Sequence, residues 1–407
     1  MSERPSLAAD GGTPVREQPL PMWPSYDDRH RAEVGRVLES GKLTYWAGTE
    51  GRHLEAEYAA ALGRRHAVAV ANGTLALELG LRAFGIGHGD EVIVPARTFI
   101  ATASAVVAVG ATPVVADVER DSGVVTVDTV RFALTPRTRA VIPVHLGGWP
   151  VDMVPILDLA EKRGLVVIED CAQAHGGALP FGPIGSGRSH GATFSFCGDK
   201  IVPAGEGGVL VLDDDDAFER AWSYKDHGKS LEALTPPPAG SGPSFRWLVE
   251  SFGSNWRLPE LSAALVRVGL DLLPRWHSTR TGNAERIIAA LTDTPGLRVP
   301  SPKTGFEHAF YRLYAHVEPS ALATGWDRDR ITAAITAEGI ACQHGSCGEI
   351  YREQAFVRAG LGPAARLPVA AELNDTSIAF FVHPTLGIRD IDDTVEAVRR
   401  VMEVAAG

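Results

Sequence analysis

A chain of 407 residues exceeds one ordinary domain, and its 45% hydrophobic and 22% charged content is that of a globular protein with substantial cores. The net charge of −11, with 39 Lys and Arg scattered along the chain, argues against nucleic acid as a partner, because phosphate binding needs a concentrated basic face. No apolar run reaches the length of a membrane span, and the opening MSERPSLAADGG lacks the apolar core of a signal peptide. No membrane partner is expected, and the cytoplasm is the expected compartment.

Residues 1–25, rich in Pro, Gly and charge, are expected to lie extended against the body or a partner. YDDRHRAEVGRVLESGK then has apolar positions at helical spacing and a stop at Gly41. From there short apolar runs read as strands: HAVAVAN (66–72), EVIVP (91–95), TPVVADV (112–118), RAVIPVHL (139–146), LVVIED (165–170), GATFSF (191–196) and GGVLVLDD (207–214). Helix-like segments separate the earlier ones: TLALELGLRAFGI (74–86), FIATASAVVAVG and DMVPILDLAEKRG (152–164). This alternation predicts an α/β fold with a mostly parallel sheet buried on both faces, which binds ligands beyond the carboxyl ends of its strands. TPPPAGSGPS (235–244) reads as a loop, and a helix follows from Pro259 to Leu273. The remainder mixes helical NAERIIAALTDT, DRDRITAAITAEG and DIDDTVEAVRRVMEV with strand-like HAFYRLYAHVE and DTSIAFFVHP, as in a smaller α+β domain. The expected division is therefore an N-terminal segment (1–25), a large α/β domain (26–275) and a small C-terminal α+β domain (276–407). Four cysteines without a CxxC form no disulfide framework. Cys342 and Cys347 flank His344, but free thiols are the simpler reading and no metal is expected.

Four features carry chemistry. Asp170 stands directly after an apolar run, where an acid could cap a helix, bind a ribose hydroxyl, hold a metal or pair with a cationic heterocycle. Lys200 follows the next strand, in FSFCGDKIVPAGEGG, where an ammonium could meet a phosphate, form a salt bridge or serve as a Schiff-base nucleophile. In ANGTLAL a strand ends at Asn72, Gly73 permits a tight turn, and Thr74 opens a helix whose amino end favours a phosphate. Phe99, in PARTFIAT, offers a flat face for stacking, or a packing residue if it stood alone. A phosphate turn, a stacking ring, an acid and a lysine are what pyridoxal phosphate requires. Their order is that of the aspartate aminotransferase-like enzymes of fold type I.

The sequence resembles the DegT/StrS-type sugar aminotransferases, through YWAGTEGRHLEAEYAAALG, ANGTLALELGLRAFGIGHGDEVIVPARTFIATASAV, VIPVHLGG, IEDCAQAHGG, FSFCGDKIVPAGEGG, GSNWRLPELSAAL and GSCGEIYREQAF. The resemblance implies fold type I, a homodimer with shared active sites, and amino transfer from glutamate or glutamine to a ketone. It makes Lys200 the imine-forming lysine, Asp170 the partner of the pyridine nitrogen, and Gln173 a neighbour of the ring's 3-oxygen. Gly73, Thr74 and Ser195 become phosphate ligands and Phe99 the stacking ring. Asn255 becomes a contact to the phosphate in the other subunit, with Arg257 a weaker candidate for contacts across subunits. Cys197 occupies a position near the substrate where the family often has His or Gln. Asp199, beside the lysine, is expected at the surface.

The expected reaction is a ping-pong transamination in which pyridoxal phosphate alternates with pyridoxamine phosphate. A nucleotide-linked keto-sugar leads as acceptor, with a keto-cyclitol or an aminoshikimate-type carbocycle as alternatives. His344 and Tyr351, in CQHGSCGEIY, are candidate acceptor contacts. Deoxygenating relatives replace the lysine with histidine, which this chain does not do. A dinucleotide-dependent oxidoreductase would need GxGxxG after the first strand, which ANGTLALELG lacks. A ligand-binding regulator without catalysis would show no half-reaction with glutamate or glutamine.

Overall fold

The computed structural model describes residues 6–233 and 247–406, so the predicted loop 235–244 lies outside the described residues. Strands β1 (His66–Val70), β2 (Glu91–Pro95), β3 (Thr112–Ala116), β4 (Thr138–Val141) and β5 (Val166–Asp170) fall in the predicted apolar runs. The strand read from RAVIPVHL is shorter, because the chain leaves the sheet at Ile142 and turns at Leu146–Gly148. After a small hairpin, β6 (Ala178–Leu179) with β7 (Gly182–Pro183), come β8 (Gly191–Ser195) and β9 (Gly208–Leu212).

These strands, apart from the hairpin, form one seven-stranded sheet in the order β1-β9-β8-β5-β4-β2-β3. The pairs from β8 through β5, β4 and β2 to β3 are parallel, while β9 is antiparallel to both its neighbours. The direction of β9 follows from its connection: residues 196–207 join it to β8 without a crossover helix, so the chain turns back on itself. Alternate residues of β1 and β9 feed opposite faces. Val68, Val70, Leu210 and Leu212 pack with Ala76 and Leu79 of the helix Gly73–Ala83 and Ala217 of the helix Asp215–Lys225. Ala67, Ala69, Val209 and Val211 join the main core on the other face. Burial on both faces explains why these runs are apolar throughout.

The helix predicted to end at Leu273 and the one predicted from NAERIIAALTDT are a single 32-residue helix, Glu260–Leu291. Pro274 lies inside it, and the apolar spacing resumes beyond the proline with Ala284, Ile287 and Leu291 buried. Those three belong to a second core with the antiparallel sheet of β10 (Leu297–Arg298), β11 (Leu313–Val317), β12 (Cys342–Gln343) and β13 (Ser377–Phe380), ordered β10-β11-β13-β12. The helices Arg328–Ala337 and Ile388–Ala405 complete this core. The N-terminal segment lies against it: Leu7 is buried there, the Glu338 carboxylate accepts the Ala8 and Val15 amides, and Arg16 pairs with Asp390 and Asp393. Among the described residues no helix is long and apolar enough to cross a membrane.

Candidate active site

The parallel strands deliver Asn72, Phe99, Asp170 and Ser195 to one edge of the large sheet, and there they line a cleft of about 920 Å³. The small sheet and the segment before it close the other side with Tyr311, Arg312, Tyr314 and Gln343.

Asp170, the last residue of β5, is 6% exposed. Its Oδ2 accepts the Thr102 hydroxyl at 2.9 Å, and its Oδ1 accepts the Ala172 amide at 3.1 Å. Burial pushes the carboxyl above its ordinary pKa, and those two donors, with the charge of Lys200, offset only part of that rise. A carboxylate so placed is completed by a cation arriving from the cleft. On its far side Glu169 pairs with His145 Nε2 at 3.0 Å, and His145 Nδ1 accepts the Val151 amide. With Cys171 these two residues form the one cluster of metal-ligand type among the described residues, but both ring nitrogens are already committed.

Lys200 lies in the connection from β8 to β9, its amide bonded to the Cys197 carbonyl at 3.0 Å and its carbonyl to the Trp23 indole N–H at 2.8 Å. The side chain is 16% exposed. Its Nζ stands 3.6 Å from Asp199 Oδ1 and 4.8 Å from the centre of the Tyr311 ring. Asp199 is exposed, as expected from sequence, and it also lines the cleft and accepts the Tyr311 hydroxyl. Burial works to raise its carboxyl, yet Lys200, that hydroxyl and Arg312 together hold it below its ordinary pKa.

The helix Gly73–Ala83 begins at the cleft. The Asn72 side chain caps it by accepting the Leu75 amide at 2.9 Å, while the amides of Gly73 and Thr74 have no acceptor within the helix. A Cβ on Gly73 would stand 2.7 Å from Ser195 Cβ, so only glycine lets this amino end approach β8. Free amides, the helix dipole and the Ser195 hydroxyl suit a phosphate, and Phe99, 63% exposed on the cleft wall, offers a flat face. Gln173 lines the cleft and accepts the Gly147 amide at 2.7 Å. The Cys197 thiol, in the same wall, lies 4.0 Å from Glu206 Oε1. The donor set thus fits a flat, phosphorylated group with a cationic ring nitrogen.

Other candidates fall elsewhere. Asn255 is exposed and outside the cleft of its own chain, bridged by its backbone to Asp226, whose carboxylate holds Arg257 at 2.6 Å. His344 is not a cleft residue: it extends past the end of β12 to within 3.4 Å of Asp329, while Gly345 and Ser346 line the cleft. Nor is Tyr351, which is buried with its hydroxyl donating to Glu349 and accepting the Leu367 amide. Sequence reasoning missed Tyr311, Arg312 and Tyr314 because their run reads as one uniform strand. The sole signal was an arginine between two tyrosines, and β11 itself starts only at Leu313.

A model of the DegT/DnrJ/EryC1/StrS aminotransferase family matches residues 24–399. An L-glutamine:2-deoxy-scyllo-inosose aminotransferase of Streptomyces kanamyceticus is 34% identical over 98% of this chain and 97% of its own. Among solved structures, an aminotransferase from Psychrobacter cryohalolentis is 44% identical, covering 93% of this chain and 98% of its own with a TM-score of 0.90. DesI, solved in the presence of its TDP-sugar product, is 29% identical over 98% of this chain and 96% of its own, with a TM-score of 0.85.

Proposed function

Because this chain belongs to the DegT/DnrJ/EryC1/StrS family of aminotransferases, with the fold-type-I architecture of its relatives, we propose that it holds pyridoxal phosphate in the cleft and moves an amino group from glutamine or glutamate to a keto-sugar. The observation that carries the reading is the meeting of Lys200, the buried Asp170 carboxylate and the amino end of the helix Gly73–Ala83 in one cleft. The cofactor, when bound, supplies an electron-withdrawing ring that stabilises negative charge on the adjoining carbon. Lys200 Nζ would hold the cofactor's aldehyde and, when free, its amine would be the group placed to take and return a proton. Asp170 would hold a proton on the ring nitrogen, and Gln173 would serve the ring's oxygen side. Phe99 would offer the ring a stacking face, and Gly73, Thr74 and Ser195 would take the phosphate.

A nucleotide-linked keto-sugar as acceptor is supported by the likeness to DesI, whose product is a TDP-sugar. The second reading, a keto-cyclitol, is favoured by the near full-length match to the inosose aminotransferase, whose name also supports glutamine as donor. We read the active form as a homodimer in which Asn255 serves the partner's site. Phe252, fully exposed three residues away, and exposed Val249 support a covered face there. The reading of a 26–275 domain and a 276–407 domain is supported by a second core built mainly from residues beyond 284, although Ala309, Tyr311, Ile350 and Phe356 pack into the main core.

The test is a half-reaction. Loaded enzyme given L-glutamine should pass to the pyridoxamine form, and panels of nucleotide-linked keto-sugars and keto-cyclitols then identify the acceptor by return of the starting spectrum. Lys200→Ala should lose the imine absorbance and turnover. Wild-type enzyme unmoved by both glutamine and glutamate would sink the proposal.

A further inference from the structure

Arg312 lines the cleft opposite the amino end of the helix Gly73–Ala83, yet its side chain makes no ion pair among the described residues. Its guanidinium lies between two rings, 4.3 Å from the centre of Tyr311 and 4.4 Å from that of Phe381, and its one hydrogen bond goes to the Tyr311 carbonyl at 3.0 Å. The backbone is pinned as well: the Arg312 amide donates to the Gly147 carbonyl at 3.1 Å, and the Gly147 amide donates to Gln173. So both rings and the backbone restrain the side chain in the cleft wall.

Behind it sits a second cation. Arg280 is 0% exposed, donates only to the Phe310 carbonyl at 3.2 Å, and has Nε and Nη2 without partners. Burial lowers its pKa and Arg312 pushes the same way, so the two guanidiniums repel. Asp199, whose carboxylate feels the charge of Arg312, is already shared by Lys200 and the Tyr311 hydroxyl. Buried positive charge without a counter-ion is costly, and an anion entering the cleft beside Arg312 relieves it. Lys200 Nζ and the Arg312 guanidinium lie against the same Tyr311 ring, 4.8 and 4.3 Å from its centre, which brings the amine-exchanging atom and this cation to one wall of the cleft.

We propose that Arg312 is the donor-specificity residue, binding the α-carboxylate of the incoming amino acid through its planar fork; this rests on the donor reading above. An α-carboxylate fits the site because a guanidinium binds it bidentately, a geometry that an alcohol or an amide does not match.

The test compares L-glutamine with L-glutaminol, which replaces the carboxylate by a hydroxymethyl group, in single-turnover absorbance measurements on loaded wild type, Arg312→Gln and Arg312→Lys. Arg312→Gln should weaken apparent glutamine binding roughly 10- to 100-fold, the range of a lost charge-assisted pair. The limiting rate should change far less, and the preference for glutamine over glutaminol should collapse. Arg312→Lys, which keeps the charge without the fork, should fall between and carries the test if the glutamine variant does not fold. Unchanged discrimination in the variants, or equal weakening toward both compounds, overturns the inference while leaving the aminotransferase reading intact. A wild type inert to glutamine and glutamate overturns both.

Discussion

Burying a carboxylate costs free energy unless a cation completes it, and in the cofactor-free protein Asp170 has two neutral donors and no ion pair. Its pKa is raised in the folded state, so the folded protein favours the protonated acid more than the unfolded chain does. That stabilising contribution is present in full below the ordinary carboxylate range and is lost as pH rises through the raised value. Asp170→Asn, which cannot ionise, should therefore melt higher than wild type near neutral pH when both lack cofactor. A gain of about 1 kcal/mol, or roughly 1–2 °C, is the expected order, and it should vanish near pH 3. A variant that melts lower than wild type at neutral pH contradicts the argument. The same substitution should slow the glutamine half-reaction by about 100-fold or more, because the ring nitrogen loses its charged partner. Asp170 and Lys200 were legible in the sequence because one ends an apolar run that has to be a buried strand and the other lies in the connection leaving the next strand. Arg312 was not, because its run reads as one uniform strand, and His344 and Tyr351 stand outside the cleft of this chain. His344 turns to Asp329 while the next two residues face the cleft.

At the scale of elements, the junction between Asn72 and the helix Gly73–Ala83 depends on close approach. Gly73→Ala would place a Cβ 2.7 Å from Ser195 Cβ and 3.1 Å from its Oγ, so the helix must move off β8. Overpacking of this kind costs about 1–3 kcal/mol, and displaced amides should weaken cofactor binding about 10-fold or more. Gly35 provides the opposite case. It sits in the helix Asp28–Ser40 with nothing within 4 Å of a Cβ, so Gly35→Ala should stabilise by up to about 1 kcal/mol. Chemical unfolding of the two variants, with a fluorescence titration of cofactor, checks the pair; a failure of the two stability changes to take opposite signs would remove steric approach as the explanation. Most strands were legible because a run buried on both faces has no polar positions to confuse it. The direction of β9 was not, since its pattern is the same either way and only the helix-free connection decides it. The 32-residue helix was read as two because Pro274 resembles a stop, while apolar residues on both sides of it bury in cores that the sequence does not show adjoining.

Over the whole molecule, the N-terminal segment ties the two cores together. It buries Leu7 in the smaller one, and its Trp23 donates to the Lys200 carbonyl while stacking edge-on against Trp276 of the long helix, contacts that composition alone could not foretell. Asn255 is exposed and does not line its own chain's cleft, a placement that leaves it free to reach the site of a second copy. In a two-fold dimer each site would then draw Lys200 from one chain and Asn255 from the other. Lys200→Ala and Asn255→Ala should each be nearly inactive alone. Mixed under conditions that let subunits exchange, they form hybrids in which one site carries both defects and the other carries neither. Random pairing makes about half of the dimers hybrid, each with one intact site, so activity should recover to about one quarter of wild type. Light scattering on the same samples reports whether a dimer is present. Asn255→Ala retaining wild-type activity by itself, or a mixture no more active than its parts despite exchange, would mean that each chain builds its site unaided.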